Sequence, residues 1–121
     1  MLVYRVAHAT KKGEHQFPLG PYQGYDRSSE LDEINWAHSG DDDHPTPSSD
    51  GIRGMESTDF CALPSMGWLK KWFSGWFGIL SKDDYRIWVY DVPSDAVKLG
   101  YRQLVFDYRR AKLIRTEPCV G

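Results

Sequence analysis

Most of the motifs that would commit a chain to one chemistry are missing here. The only two cysteines, Cys61 and Cys119, lie far apart. No CxxC pair exists, so neither a zinc ribbon nor a dithiol redox site is encoded. The HExxH, GxSxG and P-loop patterns are also absent. No apolar run approaches the roughly 18 residues that a membrane span needs. Lys11 and Lys12 follow the short apolar start rather than precede it, so no secretory signal is read. The formal net charge is only -2, which gives no bulk field for nucleic acid. There is no internal repeat and no low-complexity tract. These absences favour a cytoplasmic protein with reduced thiols and no membrane association.

What is present fits one domain, residues 1–121, able to bury a modest core. Charge is segregated along it. Asp26, Glu30, Asp32, Glu33, Asp41, Asp42, Asp43 and Asp50 crowd the middle, opposed there by Arg27. Lys98, Arg102, Arg109, Arg110, Lys112 and Arg115 crowd the end, opposed mainly by Asp107. Two solvated surfaces are the plain reading. An acidic face for a basic partner, or a basic face for phosphate, is the sharper one.

Patterning predicts strands at residues 2–8, 59–63, 85–93, 103–106 and 111–115. The last two flank a polar turn at 107–110 and read as a hairpin. Ser28 or Ser29 caps a helix running to about Ala37, with Leu31, Ile34 and Ala37 on one face and acidic residues at its positive end. Ser65 caps a second helix whose Trp68, Leu69, Trp72 and Phe73 form a broad apolar stripe. Gly75 breaks it, and Trp76, Phe77, Ile79 and Leu80 continue in another short turn. Ser94 opens one turn through Val97. Residues 38–57 lack periodicity and carry two prolines, which predicts a long, mobile acidic loop. About five strands and two or three short helices, mixed rather than regularly alternating, give an α+β fold with a small mixed or antiparallel split sheet.

Candidate chemistry starts at the first strand. Arg5 and His8 are three apart, so their side chains leave opposite faces, one toward a cleft and one exposed. The plainer reading is a strand-edge Arg and a hydrogen-bonded His. Asp41-Asp42-Asp43-His44 has metal-ligand residue types, but consecutive side chains diverge, and no EF-hand Gly or Glu follows at the required positions. No metal site is expected. Trp68, Trp72, Phe73, Trp76 and Phe77 read as core, or as a partly exposed aromatic patch for a partner protein. Gln103 reads as a hydrogen-bonding residue that cannot act as a base.

The order of these motifs resembles the ADP-ribosyltransferase superfamily, in a short phage-like version. Tyr4-Arg5-Val6-x-His8 is similar to the first strand that holds the NAD ribose and phosphates. Ser57-Thr58-Asp59-Phe60, followed by the helix at 68–73, is similar to the segment that lines the nicotinamide pocket. Tyr101-Arg102-Gln103-Leu104 stands where the late strand supplies a catalytic Glu, and here the residue is Gln103. Gly20-Pro21-Tyr22 and His44-Pro45-x-Pro47-x-x-Asp50-Gly51 also read like motifs of a phage or bacterial small-protein group. The resemblance implies NAD as cofactor. It assigns Arg5, His8, Tyr22, Ser57 and Phe60 to NAD binding, and Gln103 with Arg5 to the catalytic positions. Its implied activity is modification of a host macromolecule. Gln103 keeps a hydrogen bond but lacks the negative charge that stabilises the departing-nicotinamide transition state. The alternative is a non-enzymatic phage or mobile-element inhibitor that blocks a host defence complex through the acidic loop or the aromatic patch.

Overall fold

The computed structural model describes residues 1–23 and 28–120. Asp26 and Arg27 of the acidic middle lie outside the described residues. In order come β1 (Leu2–His8), a 3-10 turn (Glu14–Gln16), α1 (Ser29–His38), β2 (Asp59–Ala62), α2 (Met66–Trp72), α3 (Phe77–Lys82) and β3 (Tyr85–Asp91). A second 3-10 turn (Ser94–Ala96) leads to β4 (Val97–Leu99), β5 (Leu104–Asp107), a third turn (Tyr108–Arg110) and β6 (Lys112–Pro118). Both expected caps form. Ser28 Oγ accepts from the Leu31 amide at 3.0 Å, and Ser65 Oγ accepts from the Trp68 amide at 3.1 Å. Each satisfies one of the amides that a helix start leaves unpaired. Gly75 has φ +84, a left-handed conformation that lets α2 stop and α3 start in a new direction.

The strands form two antiparallel three-stranded sheets, β1-β3-β6 and β2-β5-β4. Among the described residues, one bridge joins them. The Tyr4 amide donates to Leu63 O at 2.9 Å, and the Leu63 amide donates to Tyr4 O at 2.8 Å. The fold is thus mixed α+β, with a split sheet and, among the described residues, three helices.

The expected terminal hairpin does not form. β5 pairs with β2 and β4, whereas β6 pairs with β3 in the other sheet. Burial explains the separation. Leu104, Val105 and Phe106 are all buried, so β5 needs cover on both faces and takes a central position. β6 is exposed over most of its length and suits an edge. β4 was not expected: its three residues extend beyond the turn at Ser94–Ala96 and pair with β5.

Two apolar layers result. One packs Leu31, Ile34, Leu69, Phe73 and Leu80 of the helices onto Val6, Ile87 and Val89 of the first sheet. The other packs Val3 and Tyr90 against Ala62, Leu104 and Phe106 between the sheets. Burying one such aliphatic side chain fully contributes about 1.5–3 kcal/mol. Within the expected aromatic stripe, Phe73 and Phe77 are buried, Trp72 and Trp76 are partly buried, and Trp68 is 38% exposed. Cys119 is buried in the helix-side layer, and both cysteines are free. Among the described residues, no helix is long and apolar enough to cross a membrane.

Candidate functional site

Strand alternation separates the two candidates of β1. Val3 and Arg5 face the layer between the sheets, whereas Tyr4 and Val6 face the helices. Arg5 lines a cavity of about 570 Å³ whose wall also includes Tyr22, His38, Ser57, Phe60 and Gln103. Five of the six residues singled out in the sequence therefore share one cavity. His8 does not join them, and it is not exposed either: it is only 6% accessible. Its Nδ1 accepts from the Thr10 amide at 3.0 Å and the Lys11 amide at 2.9 Å, which closes the turn after β1. Burial lowers its affinity for a proton, with Lys11 adding to the effect.

Arg5 is 8% accessible. Nη1 donates to Cys61 O at 2.9 Å and Nη2 donates to Pro18 O at 3.2 Å. A guanidinium carries five N–H donors, and Nε is the one buried side-chain polar atom without a partner among the described residues. No carboxylate among those residues forms an ion pair with Arg5. Its charge sits instead over two rings, 5.2 Å from the Phe60 centroid and 5.7 Å from that of Phe17. Burial pulls its pKa below the ordinary arginine value, and the nearby Cys61 and Tyr90 act in the opposite direction. The backbone at Gly20 comes close, and a Cβ there would lie 3.0 Å from Nη2.

Another part of the wall is a hydrogen-bonded aromatic cluster. Trp72 Nε1–H donates to Tyr22 Oη at 2.8 Å. Tyr22 Oη lies 2.6 Å from His38 Nδ1. The His38 ring stacks on His44, with centroids 3.5 Å apart and planes within 9°. His44 contacts Asp41 Oδ2 through Nδ1 at 2.9 Å and Trp72 O through Nε2 at 2.6 Å. Burial, reinforced by His44, pushes His38 down to about 4. Burial also raises the Tyr22 phenol above its ordinary value. His38 was missed in the sequence, though a signal existed: it follows Leu31 and Ile34 at i+7 and i+4, on the apolar face of α1.

Gln103 ties down the loop at 38–57. Its Nε2 donates to Pro45 O at 2.5 Å, and its amide donates to Asp50 Oδ2 at 2.8 Å. Asp50 is 3% accessible and also accepts from the Arg102 amide at 2.9 Å. Asp43 pairs with Arg102 at 2.6 Å, and Asp42 remains exposed. Asp50 thus departs from the solvated reading of the acidic residues. Ser57 is exposed at the mouth, where its carbonyl accepts from His15 Nε2 at 3.0 Å. Carboxylates also line the cavity: Glu14, Glu56 and Asp59. Asp59 is held by Lys98 at 2.7 Å. No group of three or more His, Cys, Asp or Glu residues suited to a metal ion occurs among the described residues.

No curated protein and no solved structure matches the chain. Residues 1–120 match the family model described as "Bacteriophage T4 Y00F protein". That match spans nearly the whole sequence, so the chain belongs to the bacteriophage T4 Y00F protein family.

Proposed function

We propose that the cavity binds NAD and that the protein is ADP-ribosyltransferase-like, acting on a host macromolecule. The observation that carries the binding is Arg5. A buried cation without an anionic partner costs several kcal/mol unless something compensates it, and a diphosphate is a fitting counter-charge. The fit is supported by the unpartnered Nε, by the close glycine backbone at Gly20 and by Phe60 and Tyr22 as flat apolar surfaces. When bound, NAD would supply the nicotinamide leaving group and the ADP-ribosyl unit. Arg5 would hold the phosphates, and Tyr22 with Phe60 would contact the rings. Gln103 gives one Nε2 proton to Pro45 O, so its contribution would be limited to its amide oxygen and its second N–H. It supplies no carboxylate. Calorimetric titration with NAD and mass analysis of host lysate proteins test the reading together. Saturable binding with transfer of one ADP-ribose supports it. Absence of binding at millimolar NAD, with no mass gain, defeats it.

A second reading is a non-enzymatic inhibitor of a host defence complex. It is favoured by the side chains of Trp36 and Tyr101, which are 84% and 87% exposed, and by the missing carboxylate at Gln103. Pull-down from host lysate would then recover a stoichiometric, salt-sensitive partner with no mass change on either protein.

A further inference from the structure

Donor counting in the aromatic cluster favours one tautomer of His38. An indole nitrogen only donates, so the Tyr22 oxygen accepts from Trp72 Nε1–H. Tyr22 has one proton of its own, and His38 Nδ1 lies 2.6 Å away to receive it. Among the described residues Tyr22 has no other acceptor for that proton, so the arrangement that uses every donor puts the lone pair on His38 Nδ1 and the proton of the neutral ring on Nε2; the reverse tautomer would leave the Tyr22 hydroxyl without an acceptor there. One face of that ring is covered by His44 at 3.5 Å. His44 is held in turn by Asp41 and by the Trp72 carbonyl. The titratable groups facing His38 are thus Tyr22, His44 and Asp41. A charge on His38 would lie against His44 across the stack, which lowers its affinity for a proton, and would place an N–H against the Tyr22 proton. Both effects keep His38 neutral.

His38 lines the cavity. Its Nδ1 edge is taken by Tyr22. No described residue accepts from Nε2 in the hydrogen bonds of this cluster, and Nε2 is not among the buried atoms that lack a partner. It therefore keeps some access to solvent, on a residue that lines the cavity. We propose that His38 is an uncharged hydrogen-bond donor to the ligand through Nε2–H, and that Tyr22 is the positioning residue that fixes this tautomer. The ligand class follows from the two parts of the wall together. Arg5 takes an anionic group, and His38 takes a neutral carbonyl or hydroxyl oxygen of the same molecule. An uncharged donor selects by position rather than by charge, so its contribution stays constant across neutral pH. The donor role rests on the cavity being a ligand site, as proposed above; the tautomer does not.

Two measurements test this. Two-bond proton–nitrogen correlation spectra of the ligand-free protein read the tautomer directly. The expected result is the Nε2–H form of His38 from about pH 5.5 to 8, with Tyr22→Phe mixing the tautomers and moving the titration toward the ordinary histidine range. An Nδ1–H form in the wild type, or a titration unmoved by Tyr22→Phe, overturns the positioning role. ADP-ribose titrations then test the donor. His38→Gln, which keeps an N–H donor, should stay within about threefold of wild type, whereas His38→Ala should lose about tenfold in affinity. Equal affinities for wild type and His38→Ala overturn the donor role while leaving the cavity reading intact. A wild type that binds no ADP-ribose overturns both, and the spectra then show whether the tautomer assignment survives alone.

Discussion

The Arg5 part of the cavity wall and the His38 part are built on opposite principles. Around His38, Trp72, Tyr22, His44 and Asp41 satisfy one another in a chain of hydrogen bonds. Around Arg5, a full charge is buried with two carbonyl partners, two aromatic rings and an orphaned Nε. A satisfied network contributes stability and order by itself. An unsatisfied buried charge costs stability and is explained best by something it binds. Under the proposed reading, the His38 part would orient the ligand and the Arg5 part would take its charge.

The strongest way to break the comparison is Arg5→Met. The apolar replacement removes the unmatched charge but leaves the Cys61 and Pro18 carbonyls without their donor, so the two effects oppose and folding stability should change by no more than about 2 kcal/mol. Affinity for a diphosphate ligand should fall about 100-fold. Denaturant unfolding and ligand titration on the same sample read both effects. A variant that unfolds while affinity survives would make Arg5 a structural strut between the sheets.

Gln103→Glu tests the catalytic position of the resemblance. In the fold, Nε2–H of Gln103 faces the Pro45 carbonyl. A carboxylate there sets acceptor against acceptor, so the variant should lose about 2 kcal/mol. Urea midpoints of wild type and variant check this. The amide is thus explained by the loop it anchors. A gain in NAD cleavage without loss of stability would return Gln103 to the role of a replaced catalytic acid.

The His38 part of the wall should show itself in acid. Its folded-state pKa of about 4 lies below the ordinary 6.5, so the fold favours the neutral ring. The unfolded chain takes up the proton first. The contribution of His38 is therefore intact above about pH 6.5 and is lost progressively as pH falls toward 4. Comparing urea midpoints at about pH 7 and pH 5, wild type should lose more stability than His38→Gln. Equal losses would show that the ring is not held neutral.

The smallest effect is expected at Asp42, which is exposed. Asp42→Asn should stay within about 0.5 kcal/mol of wild type. Weaker and less salt-sensitive capture of a host protein would instead assign the acidic loop to an interface.

Much of the scaffold was legible because local chemistry decided it. Ser28 and Ser65 are strong caps with apolar stripes behind them, and β1 and β3 carry Val, Ile and Tyr at strand length. The pairing of β5 and β6 was not legible. A polar turn between two short strands signals a hairpin, and only three-dimensional burial shows that Leu104–Asp107 belongs at a sheet centre. Arg5, Tyr22, Ser57, Phe60 and Gln103 were named from the sequence and share the cavity. The helix period places His38 on the apolar face of α1, but its contact with Tyr22, and those of His44 with Trp72 and of Asp50 with Gln103, join residues distant in sequence and are encoded by no local pattern.

The most direct measurement of the central claim is a calorimetric titration of ADP-ribose into wild type and Arg5→Met, with folding verified for both. The account predicts saturable binding by wild type, weakened by salt, and its near-complete loss in Arg5→Met. Equal binding by the two proteins, or none by the wild type, would contradict the assignment of Arg5 as the cavity's anion-binding group.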